Sequence, residues 1–413
     1  MLAVADPVSS VTLDDVLAAR EILEGVLTPT PMEFSQALTD RTGLPVHLKC
    51  ENLQRAGSFK MRGAYTRMSR LTEDEKRRGV VAASAGNHAQ GVALAARLLG
   101  IEATVYMPNG ASMPKLAATR GYGATVIQMG TTLDECIEEA RRHEEREGSV
   151  FIPPFDHPDI VAGQGTCGLE ILEQVPDVRT IVVATGGGGL LAGIATAVKA
   201  IKPDVRIVGV QAEQAAAWPG SLAAGHPVPV ARMSTMADGI AVGRPGDVPF
   251  EVVSRSVDAM ELVSETAIAR AVLYLAERAK LVVEPAGATA TAHLMELGQE
   301  SASHYEGPVV AVLSGGNIDP LLLLRIIRQG LTAAGRYLQL RVRVPDQPGN
   351  LAGVLTMLAE MQCNVLEVQH HRRVANLAVG EVAISLTLET RGHEHSAEVM
   401  AALTERGYTV EPA

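Results

Sequence analysis

A chain of 413 residues exceeds what a single hydrophobic core organises, so two or three domains are expected. Hydrophobic residues make up 47% and charged residues 20%, as in ordinary globular proteins, but aromatics supply only 3%; Ala, Val, Leu and Gly take their place, which suits helices packed closely on a parallel sheet. The formal net charge of −11, with no basic cluster, argues against nucleic acid as a partner and leaves open small anions held by backbone N–H groups.

The N-terminus has no basic stretch followed by an apolar run, so no secretory leader is expected. No apolar run reaches the roughly 18 residues of a membrane span; the leucines at 321–324 are followed by Arg325 and Arg328. Cys50, Cys136, Cys167 and Cys363 lack metal-ligand spacing and read as reduced, buried thiols. These features point to a cytoplasmic protein with no membrane partner and no structural metal.

Short Val- and Ile-rich runs predict strands over 46–51, 79–84, 102–107, 124–129, 180–184, 206–211 and 308–313. Between them lie amphipathic or Ala-rich stretches such as 88–99 and 133–147, read as helices. Continuous apolar strands alternating with helices predict a parallel sheet covered on both faces. Three strands end in turns rich in small polar residues, at 84–87, 186–190 and 314–317. Ligands of open α/β sheets bind at such ends, so the three turns predict one shared site. The pattern changes near residue 330. A linker over 331–336 is followed by strand, helix, strand, strand, helix and a short final strand, the βαββαβ order of a ferredoxin-like unit.

The sharpest chemistry lies in Gly57-Ser58-Phe59-Lys60-Met61-Arg62-Gly63-Ala64. A lysine at the start of a helix, partly desolvated, has a lowered pKa, and a neutral amine is what a Schiff base with an aldehyde requires. A lysine alone reads more simply as a solvated surface residue; the other turns give Lys60 its weight. In Ser84-Ala85-Gly86-Asn87-His88, between a strand and a helix, first-turn N–H groups suit a carboxylate. Asn87 suits both an N-cap and a donor to a phenolate oxygen, whereas His88 reads as a structural histidine. Gly163-Gln164-Gly165-Thr166-Cys167-Gly168 matches the spacing of a dinucleotide motif but follows no strand, and reads as a helix start packed closely on the sheet. Gly186, Gly187, Gly188, Gly189 and Leu190 lie between a strand and a helix and predict a phosphate cup; no Gly-Lys-Ser/Thr follows, which excludes a nucleotide P-loop. Glu284 precedes a small-residue turn and reads equally well as a residue facing the ligand or as a helix cap. Ser314, after the strand at 308–313, is a neutral hydroxyl suited to a pyridine nitrogen.

The runs SFKMRGA, SAGNHAQGVA, GGGGLLAG and SGGN, in this order over roughly residues 12–330, resemble the second fold type of pyridoxal-phosphate enzymes, and within it the threonine dehydratase and serine racemase group. The resemblance implies an α/β catalytic domain over 1–330 built from two open, mainly parallel sheets, with a smaller subdomain at about 46–155. It implies pyridoxal 5'-phosphate as cofactor, carried by Lys60 beside Phe59. Gly186–Leu190 would hold its phosphate, Asn87 would meet the ring hydroxyl and Ser314 the ring nitrogen. Ser84, Ala85, Gly86, Asn87 and His88 would bind substrate, with Glu284 a further candidate. Residues 337–413, with Pro345-Asp346-Gln347-Pro348-Gly349, are similar to an ACT regulatory domain, which implies an amino-acid effector and a homo-oligomer, dimer or tetramer.

Two departures narrow the activity. Serine racemases tend to carry a serine where Ala85 stands, and alanine cannot transfer a proton, so one-faced elimination is favoured. Sulfur-transfer relatives usually read TSGNT where this chain reads SAGNH. The expected reaction is conversion of L-threonine to 2-oxobutanoate and ammonia, with L-serine as a second substrate. Alternatives are a serine dehydratase or racemase, a hydroxyaspartate dehydratase, and an idle amino-acid sensor; retention of Lys60, Ser314 and the glycine loop together speaks against the last.

Overall fold

A computed structural model describes residues 11–297, 304–372 and 377–412; the first ten residues, on which the reading of the leader rested, lie outside these. The strands in chain order are β1 (Met32–Phe34), β2 (Val46–Lys49), β3 (Val80–Ala83), β4 (Ala103–Met107), β5 (Thr125–Gln128), β6 (Val150–Phe151), β7 (Thr180–Ala184), β8 (Arg206–Ala212), β9 (Ala259–Val263), β10 (Val309–Val312), β11 (Tyr337–Pro345), β12 (Asn364–His371), β13 (Glu381–Glu389) and β14 (Thr409–Pro412). Every strand expected from the apolar runs is present to within two residues at each end. The three that the pattern did not announce are a three-residue edge (β1), a two-residue edge (β6) and a half-exposed edge (β9), each too short or too mixed to leave a periodic signal.

The chain divides into two compact units, Met1–Leu323 and Leu324–Ala413. The first holds two open sheets. The larger runs β1-β2-β10-β7-β8-β9 and is parallel except for β1; the smaller, β5-β4-β3-β6, is wholly parallel. Because β2 pairs with β10 in the larger sheet, the smaller subdomain begins beyond residue 49 and not at about 46. In the larger sheet the order reverses at β7, flanked by β8 and β10; in the smaller it reverses at β3, flanked by β4 and β6. Crevices open at the carboxyl ends of strands where order reverses, and the turns after β3, β7 and β10 stand at these places.

Helices pack on each other through glycine. The run 163–168 lies inside the helix Pro158–Gln174, not at its start, and it packs on helices and not on the sheet. A Cβ on Gly163 would lie 2.7 Å from Arg62 O and Gly63 Cα of the helix Lys60–Ser69. A Cβ on Gly193, in the helix Gly189–Ile201, would lie 2.4 Å from Val161 O and 2.5 Å from Gly165 N. Beside this crossing sits a buried ion cluster of Lys49, Glu51, Arg62 and Glu170. All four cysteines are free and buried, as read from their spacing. Among the described residues no helix is long and apolar enough to cross a membrane.

The second unit contains an antiparallel sheet in the order β12-β13-β11-β14. The helices Asn350–Glu360 and His393–Glu405 complete the expected βαββαβ succession. Its core includes Leu340, Val342, Val354, Leu358, Ile384, Leu386, Val399 and Leu403, contributed by strands and helices alike. The linker expected over 331–336 is partly helical, because the helix Pro320–Ala333 runs into it.

Replacing Gly193 with alanine is expected to lower stability by about 1–3 kcal/mol or more, the cost of overpacking a tight crossing. The urea midpoint of the variant checks this against Gly220→Ala, where nothing lies within 4 Å of the added methyl and no loss is expected.

Candidate active site

The turns after β3, β7 and β10 line one cavity of about 820 Å³ in the first unit; its walls include residues 84–88, Gly186 to Leu191, and Ser314, together with Phe59 and Lys60. Lys60 is the first residue of its helix, and its half-buried amine donates to Pro154 O at 2.8 Å, beyond β6. Burial pulls its pKa down to about 8 against the opposing pull of the Glu284 carboxylate. The segment is tied to the Ser314 turn: Phe59 N–H donates to Ser314 O, Gly316 N–H to Gly57 O, and Ser58 bridges Gly315.

The glycine loop is tight because its surroundings press on it. Only Gly188 has a left-handed backbone, with φ 97°. A Cβ on Gly187 would meet the Phe155 ring at 2.4 Å, one on Gly188 would meet Trp218 at 2.3 Å, and one on Gly186 would meet Ile240 Cα at 2.9 Å. The Trp218 indole donates to Gly186 O at 2.7 Å and holds the turn from outside. Among the described residues nothing accepts from the N–H groups of Gly187, Gly188, Gly189 or Leu190. Free donors at the start of a 13-residue helix make an anion cup.

In the loop after β3 the N-cap is Gly86, not Asn87. Asn87 opens the helix Asn87–Leu99, and its amide is fixed by two partners: Nδ2 donates to Glu284 Oε1 at 2.5 Å, and Oδ1 accepts from Asn317 Nδ2 at 2.8 Å. Gly86 N–H donates to Ser84 Oγ, while nothing among the described residues accepts from the N–H groups of Ala85, Asn87 or His88. His88 is structural: its Nε2 pairs with Ile152 O at 2.8 Å, and burial lowers its pKa to about 3. Glu284 occupies an N-cap position in the backbone but makes no capping bond with its side chain. Only 2% exposed, it faces the cavity, and burial followed by the Asp238 charge raises its pKa to about 7. Gly315 leaves room for it, since a Cβ there would lie 2.3 Å from Glu284 Oε1.

Residues 23–315 match the model of a family described as pyridoxal-phosphate dependent enzyme. The chain belongs to the pyridoxal-phosphate dependent enzymes. It is 45% identical to the L-threonine ammonia-lyase of Thermotoga maritima over 401 residues, 97% of this chain and 99% of that one. It is also 45% identical to the catabolic L-threonine dehydratase TdcB of Escherichia coli over 309 residues, 75% of this chain and 94% of that one. Among solved structures, maize serine racemase superposes with a TM-score of 0.74 at 35% identity, covering 78% of this chain and 99% of that one.

The cavity of this pyridoxal-phosphate enzyme suits its cofactor. It joins an anion cup that no Cβ could enter to an amine kept partly neutral by burial. The sequence motifs name three of the turns that line it, but not the wall segments 154–155, 229–233 and 238–244. Phe155 and Trp218 press on the glycine loop, Pro154 supplies the partner of Lys60, Asn317 orients Asn87, and Gln164 holds Gly63 N–H from the facing helix at 3.3 Å. Trp218 is the only tryptophan of the chain, and that rarity was its one available signal. Lys115 and Asp238 also reach the cavity, and no motif announces them.

Uptake of pyridoxal phosphate by the apoprotein should rise with pH as Lys60 loses its proton near pH 8. The Glu284 charge raises the Lys60 pKa, so Glu284→Gln should lower it and shift the uptake curve to lower pH relative to wild type. Cofactor absorbance followed across a pH series measures both curves; a shift to higher pH contradicts the assigned direction.

Proposed function

We propose that this chain is an L-threonine ammonia-lyase that converts L-threonine to 2-oxobutanoate and ammonia and acts on L-serine as a second substrate. The observation that carries the reading is the meeting of Lys60, the glycine cup, the 84–88 loop and Ser314 in one cavity, in a chain that aligns over 97% of its length with a threonine ammonia-lyase.

Lys60 is proposed to carry the cofactor, and Gly186 to Leu190 to hold its phosphate. Asn87 would meet the ring hydroxyl, and Phe59 and Ser314 would complete the seat. When bound, pyridoxal phosphate supplies an electron sink for the charge left at the substrate α-carbon. The rest falls to the chain. The free N–H groups of Ala85, Asn87 and His88 take the substrate carboxylate and so place Cα toward Lys60. Lys60 Nζ, set free when the substrate amine takes its place, would accept the Cα proton as general base. The Ser314 hydroxyl offers a neutral partner that does not force a charge onto the ring nitrogen, which favours elimination over transamination. Glu284 fixes the Asn87 amide and sits partly protonated near neutral pH.

The second unit is proposed as an ACT regulatory domain over 337–413, with the catalytic domain over 1–330. In support, the relative from Escherichia coli is matched over 94% of its length by only 75% of this chain, and the second unit has its own sheet and core. It would bind an amino-acid effector and pair within a homo-oligomer, in the cytoplasm.

A racemase reading is favoured by the likeness to solved racemases, that of maize among them. Ala85 weighs against it, for it lines the cavity with a methyl group that has no transferable proton.

Lys60→Ala should abolish 2-oxobutanoate formation from threonine, a loss of several orders of magnitude, and leave circular dichroism and the unfolding midpoint near wild type. Normal turnover by the variant would falsify the assignment.

Wild-type enzyme should release pyruvate from L-serine far faster than it forms D-serine, and Ala85→Ser should raise the ratio of racemisation to elimination. Chiral chromatography of residual serine alongside a pyruvate assay reads both. Rapid D-serine formation by the wild type would promote the racemase reading.

A further inference from the structure

Lys115 lies on the helix Met113–Gly121 beside the smaller sheet, and Asp238 lies in the turn Asp238–Ile240, which belongs to the larger half. Their side chains meet across the cavity, with Lys115 Nζ 2.6 Å from Asp238 Oδ2. The pair also lines a second pocket of about 310 Å³, which shares Ala85 and Glu284 with the main cavity. It therefore stands where the two pockets meet.

The two ends of the pair differ. The Lys115 side chain is 10% exposed, whereas that of Asp238 is 55% exposed. The lysine side chain is thus largely covered, whereas its carboxylate partner is half in water. Such a partner is held weakly and is re-solvated at little cost when it leaves. Lysine, a point charge on a flexible stem, exchanges partners readily. Its position gives it somewhere to go: a Cβ on Gly86 would lie 3.5 Å from Lys115 Nζ. Gly86 stands among the free N–H groups of Ala85, Asn87 and His88, so an anion on those donors comes within reach of the ammonium.

We infer that Lys115 recognises the α-carboxylate of the amino-acid substrate and exchanges Asp238 for it on binding. This rests on the reading of the 84–88 loop as the carboxylate site. Asp238 then acts as a competitor that occupies Lys115 in the free enzyme and returns to water when substrate docks. The bland alternative is that the pair is a clamp across the cleft, useful only for holding the two halves together.

The two readings predict opposite signs for the two ends of one ion pair. L-alanine, which has no β-leaving group, is titrated into the holoenzyme and its binding is followed by cofactor absorbance. Lys115→Met should weaken alanine about tenfold or more, the scale of one charge-assisted hydrogen bond. Asp238→Asn should tighten it by about threefold, because Lys115 is released beforehand. Lys115→Arg, which keeps the charge, should stay within about threefold of wild type and shows that the fold survives change at this position. The KM for threonine should follow the same order, with smaller changes in kcat. Weakening in both Lys115→Met and Asp238→Asn, or alanine binding by Lys115→Met equal to wild type, overturns the inference. Alanine binding needs no loss of water, so an enzyme that binds alanine as described but makes no 2-oxobutanoate refutes the lyase reading and leaves this one standing.

Discussion

The guanidinium of Arg62, two residues beyond Lys60, is buried with all five of its N–H donors engaged. It makes paired bonds to Glu51 at 2.8 Å and to Glu170 at 2.6 and 2.9 Å, and a fifth bond to Thr166 Oγ1 at 3.0 Å. Lys49 closes the cluster by pairing with Glu170 and by donating to Thr30 O and Gln174 Oε1. Burial would push the Glu51 carboxyl up, but Arg62 holds it below its ordinary range. Such a network gains little over an apolar core in stability, yet losing one member leaves a buried charge without its partner. What it does here is geometric. It joins the end of β2, the helix that begins with Lys60 and the helix Pro158–Gln174, and so aims the amine at the cavity.

The same economy runs through the packing. With aromatics at 3%, the core relies on Ala, Val and Gly, and helices approach until backbone meets backbone at Gly63, Gly163, Gly165 and Gly193. Two of the few large rings are spent at the glycine cup, where Phe155 and Trp218 forbid any Cβ and keep the N–H groups clear. Rigidity of the cup therefore comes from its walls. The loop contributes its smallness, and only Gly188 contributes conformational freedom.

Charge in the cavity is arranged as a set of near-neutral options. Lys60 near pH 8 and Glu284 near pH 7 are both moved toward their neutral forms by burial. Each also tempers the other: Glu284 holds Lys60 up and Lys60 holds Glu284 down. Asp238 and Lys115 act on Glu284 with opposite signs, the carboxylate raising its pKa and the ammonium lowering it, beneath the larger effect of burial.

Local pattern by itself determined much. Apolar runs located all the interior strands because a strand covered on both faces must be apolar along its length. The turns were legible because a run of glycines, a small polar loop and a helix-starting lysine, each at a strand end, are rare together. The βαββαβ order of the last residues was legible for the same periodic reasons. Tertiary structure alone decided the rest. The edge strands β1, β6 and β9 form through neighbours, without a periodic signal of their own. Glu284 could not be assigned between cap and cavity until Asn87 was seen to donate to it across 197 positions of chain. Gln164 became a brace for the Lys60 helix, and the glycines around it a helix crossing. Lys115 and Asp238 are an ordinary lysine and aspartate 123 residues apart, and only the closure of two sheets around one cavity makes them a pair. Chemistry that depends on residue type is written locally; chemistry that depends on distance between remote residues exists only once the backbone has folded.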